Sequence, residues 1–335
     1  MPRFLITLVI AVVVVSGILA YIANVHPIPE RADIVYGATF SVLRAKELRL
    51  PWQEVYDALV DDLGIRHFRL VAHWPMVEPE EGVFNFAELD YQIRRAEEVG
   101  ASVIVAVGRR LPSWPECHVP SWTRGMSPAE RDAKLFEYVE AVVTRYKDSP
   151  ALRWWQVENE PYIIGFAYEN CGDINSAFLE REIAFIQELD PAHPIFLTAS
   201  GELGFWNNTW SRAQAFGTTL YRHVYNADLK SFITYPTTPE FFRAKRAITE
   251  ATVRNPDIPA VISELAAEPW PVKAIVDTPV EEQLSHMSLE RFEATLDFAA
   301  KTSFTEQYLW GAEWWYYLKE VHADDSFWER ARELF

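Results

Sequence analysis

Eight short apolar runs alternate with amphipathic segments between residues 34 and 335, and this alternation limits the possible folds more than any other feature of the chain. The strand-like runs are Ile34–Ser41, His67–Ala72, Ser102–Gly108, Leu152–Val157, Pro194–Ser200, Ala215–Tyr221, Ala260–Glu264 and Glu306–Trp310. The intervening segments carry apolar residues at three-to-four spacing with helix punctuation. Pro51 opens one that Gly64 closes, and Phe86–Val99 stops at Gly100. Further helices are predicted over Pro128–Lys147, Ile174–Leu189, Pro239–Val253, Leu289–Ala300 and Ser326–Leu334. Strands joined through helices return to the same end of the sheet and pair in parallel. The count of eight favours a closed (β/α)8 barrel over an open doubly wound sheet. No Gly-x-Gly-x-x-Gly follows an early strand to support a dinucleotide-binding alternative.

One domain accounts for residues 34–335, since such barrels commonly need about 250 residues or slightly more. Residues 25–33 contain two prolines among polar neighbours and read as a linker. Residues 1–24 hold a nearly unbroken apolar run, Phe4 to Ala23, preceded by Arg3. Roughly 20 apolar residues suffice to cross a bilayer as a helix. The alternative is a cleaved signal peptide, but its apolar region is usually about 7–15 residues and ends at a small-x-small site. Ile18-Leu19-Ala20 and Tyr21-Ile22-Ala23 are both poor cleavage sites. An uncleaved membrane anchor is therefore expected, with the positive N-terminus cytoplasmic and the barrel outside, periplasmic or at the cell surface. Cleavage would instead give a secreted protein.

Net charge is −17, from 48 acidic and 31 basic residues, which argues against nucleic acid as a partner. The two cysteines, Cys117 and Cys171, fall in the loops after the third and fourth strands. In an oxidising compartment these neighbours can pair and clamp the wall of a cleft. Neither has a Cys or His at ligand spacing, so no metal site is expected, and a monomer is expected.

Functional groups of such a barrel gather at the C-terminal ends of its strands. Those ends supply Arg69, His73 and Trp74 (second strand), Arg109 or Arg110 (third), and Asn159 with Glu160 (fourth). The later ends supply Tyr221 and His223 (sixth), Glu264 (seventh), and Trp310 with Glu313 (eighth). Two carboxylates at the ends of two buried strands are what glycosidic bond cleavage requires, one as acid and one as nucleophile. Glu158 alternates with Glu160 and is expected to pack against a basic neighbour. Glu268 competes with Glu264, and Tyr225 with Tyr221. Trp114, Trp122, Trp206, Trp270, Trp314 and Trp315 lie in expected strand-to-helix loops, where exposed rings would stack on successive sugars of an open cleft.

Over roughly residues 34–335 the chain resembles the glycoside hydrolases of clan A, the retaining (β/α)8 enzymes that include families 5, 39 and 42. Asn159-Glu160-Pro161 matches the clan's Asn-Glu-Pro at the fourth strand, and Ser263-Glu264 its nucleophile position at the seventh. The stretch from Trp74 through Glu78-Pro79 and Gly82 to Leu89-Asp90 is similar to the signature after the second strand. The resemblance implies Glu160 as general acid/base and Glu264 as nucleophile. It also implies that Arg69, Asn159, Tyr221 and Trp310 contact nucleophile or sugar, with His73 a further candidate. It implies an oligo- or polysaccharide substrate and a reaction that needs no metal or organic cofactor. A tethered carbohydrate-binding protein without activity and a transglycosylase of envelope glycans are the alternative expectations. The surroundings of Trp206, Trp270 and Trp314 match no single family.

Overall fold

The structure is a computed structural model that describes residues 16–17, 20–22, 24–163, 171, 174–226 and 229–335. The expected anchor, residues 1–24, lies mostly outside the described residues. Among the described residues no helix is long and apolar enough to cross a membrane.

Eight parallel strands close a barrel in the order β1 (Val35–Phe40), β10 (Glu306–Trp310), β9 (Ala260–Ala266), β6 (Ala215–Leu220), β5 (Ile195–Ala199), β4 (Leu152–Val157), β3 (Ser102–Val107) and β2 (His67–Val71). All eight expected runs are barrel strands. A two-stranded antiparallel hairpin, β7 (His223–Asn226) with β8 (Ser231–Thr234), interrupts the chain between β6 and β9. The sequence reading passed over this hairpin, because four-residue strands at the surface bury too few apolar residues to leave a pattern.

Alternate strand residues point into the barrel or out against the helices. Inside, Ile104, Trp154, Phe196, Ala215, Val261 and Tyr308 form a separate apolar cluster, with Trp154 stacked on Phe196 at 5.2 Å. Gly217 makes that layer possible, since a Cβ there would lie 2.4 Å from the Phe196 ring. Outside, helix Pro128–Tyr146 illustrates how the covering layer forms. Ser127 and Glu130 make a reciprocal capping box at its start, and Leu135, Tyr138, Val139, Val142, Val143 and Tyr146 line its buried face.

Helix Ala312–His322 follows β10 directly, where the sequence reading expected a loop. It carries Trp314 and Trp315 into the core with no solvent exposure, and Trp206 is equally buried. These three rings are therefore packing residues and do not line a cleft. Trp114 and Trp270 remain exposed.

The N-terminal segment runs past the opposite end of the barrel. His26 lies 2.6 Å from Glu250, and Arg31 donates to Asp297 at 2.8 Å.

Candidate active site

At the C-terminal ends of the strands, the backbone leaves its regular path twice. On β9, Ile262 pairs with Thr218 of β6, whereas Glu264 pairs with the very next residue, Thr219. The pairing with β10 shows the same extra residue, as Ile262 faces Gln307 and Leu265 faces Leu309. This bulge at Ser263 changes the parity of the strand, so that Ile262 and Leu265 both reach the outer core. Glu264 is thereby released from the outward side that it would otherwise share with Ile262. On β4 the deviation is conformational, since Glu158 (φ 58°) and Glu160 (φ 44°) both adopt left-handed backbone on either side of Asn159.

Arg69 joins the two irregular strand ends. Its buried guanidinium donates to Glu264 Oε1 at 2.6 Å, to Asn159 Oδ1 at 2.8 Å and to Gln156 Oε1 at 2.7 Å. The Tyr221 hydroxyl donates to the other oxygen of Glu264 at 2.8 Å. Glu264 thus holds a guanidinium on one oxygen and a phenol on the other, an arrangement suited to an ionised carboxylate. Burial and the Glu264 charge push the Tyr221 hydroxyl well above its usual range, so it stays a neutral donor.

Glu160 meets different surroundings. Thr219 donates to its Oε1 at 3.0 Å, and its backbone N–H donates to the Thr198 hydroxyl at 2.9 Å. No described cation pairs with it at salt-bridge distance. Burial first, and the Glu264 charge second, raise its carboxyl to about 7. Two carboxyls, each 5 % exposed, are therefore held in different electrostatic settings, one in a direct ion pair and one with cations only at longer range.

The other expected residues divide. Trp310 is half-buried at the rim and donates to Glu268 at 2.9 Å. Glu268 also pairs with Arg44 at 2.8 Å and so braces Trp310. Tyr221, not Tyr225, reaches the carboxylate, and Trp270 packs edge-on against Tyr221 at 5.2 Å. His73 is buried with Nε2 3.0 Å from the Pro112 carbonyl, and its ring meets His118 edge-on at 4.3 Å. Burial and the His118 ring keep it well below the ordinary histidine value. His223 belongs to the hairpin, stacked on Phe232. Glu313 accepts from the Ser41 N–H at 2.6 Å, and burial lifts its carboxyl to about 8. Cys117 and Cys171 are joined by a disulfide, with their Cα atoms 5.3 Å apart.

The sequence reading missed Gln156, Thr198 and Thr219, the neutral side chains that orient the charged ones. Each is the last or near-last inward residue of a strand, and that position was the available signal. Glu116 and Glu202 were missed as well. Burial raises both to about 8, with the Glu160 charge contributing in each case.

No family model matches the chain. Over 129 residues, 36% of the chain, it is 29% identical to the probable mannan endo-1,4-beta-mannosidase F of Aspergillus flavus. Over 186 residues, 47% of the chain, it is 26% identical to beta-galactosidase BgaP of Planococcus sp. strain L4. The matched stretches span about a quarter of these relatives, 26% and 25% of their lengths. The likeness is to glycoside hydrolase clan A. Solved structures share the fold over most of the chain. GH5_18 from Bifidobacterium longum subsp. longum superposes with a TM-score of 0.60 at 13% identity, covering 83% of this chain and 69% of that one. The beta-galactosidase of Halorubrum lacusprofundi gives 0.55 at 14% identity, covering 83% and 52%. At such identities the superpositions establish the (β/α)8 barrel fold and nothing finer.

Proposed function

We propose that the protein is a retaining glycoside hydrolase in which Glu264 is the nucleophile and Glu160 the general acid/base. The observation that carries this reading is the contrast between the two carboxyls. Glu264 is held by Arg69 and Tyr221, whereas Glu160 has a hydroxyl partner and is raised to about 7. In the first step a Glu264 oxygen bonds to the anomeric carbon as the bond to the leaving oxygen breaks, and Glu160 passes its proton to that oxygen. The glycosyl ester on Glu264 removes the charge that helped raise Glu160, so Glu160 becomes a better-ionised carboxylate and a competent base. Water, deprotonated by Glu160, then attacks the anomeric carbon, and the ester bond returns its electrons to Glu264.

The matched relatives are named for activity on β-linked mannan and on β-galactosides. Those two configurations are the substrates proposed first for this chain, with Trp310 at the rim as the platform for the apolar face of the sugar. Extracytoplasmic placement on an N-terminal anchor is proposed with it, because a disulfide persists in an oxidising compartment.

A screen of β-linked manno-, gluco- and galacto-oligosaccharides, with product anomers followed by NMR, tests the activity. Release of the β-anomer first supports the reading, and release of the α-anomer overturns retention. Binding without turnover across the panel would make the protein a carbohydrate-binding module, and oligosaccharide products longer than the substrate would make it a transglycosylase.

A further inference from the structure

Behind the Asn159-Glu160 turn lies a second carboxyl pair that takes no part in the proposed chemistry. Glu158 is fully buried, and its two oxygens accept the backbone N–H groups of Arg110 (2.6 Å) and Arg109 (3.2 Å). Its carboxyl rests against Gly108, where a Cβ would come within 2.7 Å of the carboxyl carbon. Glu182 comes from helix Ser176–Leu189 and is also fully buried. Neither Glu182 oxygen meets a hydrogen-bond donor among the described residues. Its hydrogen-bonding neighbour is the Glu158 carboxyl.

Two ionised carboxylates have only acceptors to offer each other, so contact between them requires a shared proton. The surroundings decide which partner carries it. Burial raises the Glu158 carboxyl too, but its two N–H donors and the nearby charges of Arg109 and Arg110 oppose that rise. Glu182 has no such N–H donor, and burial together with the Glu158 and Asp132 charges pushes its carboxyl well above the usual range despite the opposing charge of Arg109. A buried anion at Glu182 without a hydrogen-bond donor would be costly.

We propose that Glu182 is a proton-bearing positioning residue, whose carboxylic acid donates to the Glu158 carboxylate and so holds the turn that presents Asn159 and Glu160. The bond ties a covering helix to a residue with left-handed backbone (φ 58°) two places before the proposed acid/base. Glu158 in turn tethers the end of β3 through Arg109 and Arg110, next to the disulfide-bonded loop. The positioning half rests on the glycosidase reading, and the proton half does not.

Glu182→Gln keeps a donor toward Glu158, while Glu182→Ala and Glu182→Leu remove it. Isotope-edited infrared spectra of wild type and Glu182→Gln at about pH 9, where groups raised only to about 7 or 8 are ionised, read the proton directly. The wild type should show a protonated-carboxyl band that Glu182→Gln lacks. In turnover, Glu182→Gln should match wild type with its alkaline pH limb unmoved, since no charge has been removed. Glu182→Ala and Glu182→Leu should lose about 10²-fold in kcat with KM nearly unchanged, the scale of a small misplacement of reacting groups. Absence of the band overturns the proposal. So does a limb shifted to lower pH in Glu182→Gln, which would mean that a negative charge had been lost. Wild-type kcat in a folded Glu182→Ala or Glu182→Leu overturns the positioning role. A wild type that cleaves no glycoside defeats the function reading alone, and the infrared band still decides the pair.

Discussion

Arg69 donates to Asn159 Oδ1 at 2.8 Å, and this bond decides which way the amide faces. The same oxygen accepts from Thr198 at 3.1 Å and from Gln156 at 3.2 Å. Three donors converge on Oδ1, which leaves Nδ2 buried with no partner among the described residues. A buried donor without an acceptor costs about 1–3 kcal/mol, and a sugar hydroxyl at the nucleophile's end of the site would supply that acceptor. Asn159→Ala should therefore lower kcat/KM by about 10²-fold on a substrate bearing its 2-hydroxyl. On the matching 2-deoxy glycoside the same substitution should cost much less. Equal losses on both would place the amide away from that hydroxyl.

Glu160 and Glu264 are expected to fail in different ways. Removing a general acid typically costs 10²–10⁴-fold, and least when the leaving group needs no proton. Glu160→Ala should retain turnover of a dinitrophenyl glycoside and recover further with added azide, giving a β-glycosyl azide. Glu264→Ala should give the α-azide, because azide then takes the nucleophile's place. A 2-deoxy-2-fluoro glycoside should label the wild type at Glu264, as read by peptide mass. Label on Glu268 or Glu160 would reassign the nucleophile.

The pH profile follows from the Glu160 surroundings. The first step needs its proton, so kcat/KM should fall as pH rises through about 7. Burial is the larger cause of that raised value and the Glu264 charge the second. Glu264→Gln should consequently lower the Glu160 titration, which NMR of a labelled side chain would follow. A Glu160 titration unchanged in that variant would mean that the two carboxyls do not sense each other.

The same shift carries a stability consequence. The folded value of about 7 lies above the ordinary 4.5, so between those pH values the folded chain keeps a proton that the unfolded chain has released. Stability from this group is full below 4.5 and declines as pH rises through about 7. Glu160→Gln avoids that decline and should be more stable than wild type at about pH 8 by roughly 1–3 kcal/mol. The advantage should vanish near pH 4. Thermal melts at both pH values check this, and an equal difference at the two would remove the electrostatic explanation.

Cys117 and Cys171, 54 residues apart, cross-link the loops that follow β3 and β4. In the chain-entropy account a loop of this length stabilises by about 4 kcal/mol. Cys117→Ser should lower the melting temperature clearly, and reductant should lower that of wild type but leave the variant unchanged. The loop also holds Glu116, which pairs with Arg110 at 3.5 Å and lies close enough to sense the Glu160 charge. Turnover should therefore drop beyond what the melting shift explains. A variant with wild-type melting would show that the cross-link constrains nothing.

The strands, most of the covering helices and the strand-end residues were legible because local patterning carries them. Asn159-Glu160-Pro161 closes an apolar run, and the proline marks where the strand ends. Trp314 and Trp315 were misplaced because a helix that starts one residue after a strand leaves no loop signal between them. Glu182 was overlooked although it breaks an apolar stripe of Phe178, Leu179, Ile183 and Ile186. A lone acid on such a stripe says that something unusual is buried there, but its partner lies on another element.

By itself the sequence determined the alternation of strand and helix and which residues stand at the strand ends, since both follow from periodicities of two and about 3.6 along the chain. Tertiary structure alone decided that Glu264 turns toward Arg69 and Tyr221. The extra residue at Ser263 is visible only when β9 is set against β6 and β10, because a bulge is a mismatch between neighbouring strands and has no pattern within one of them.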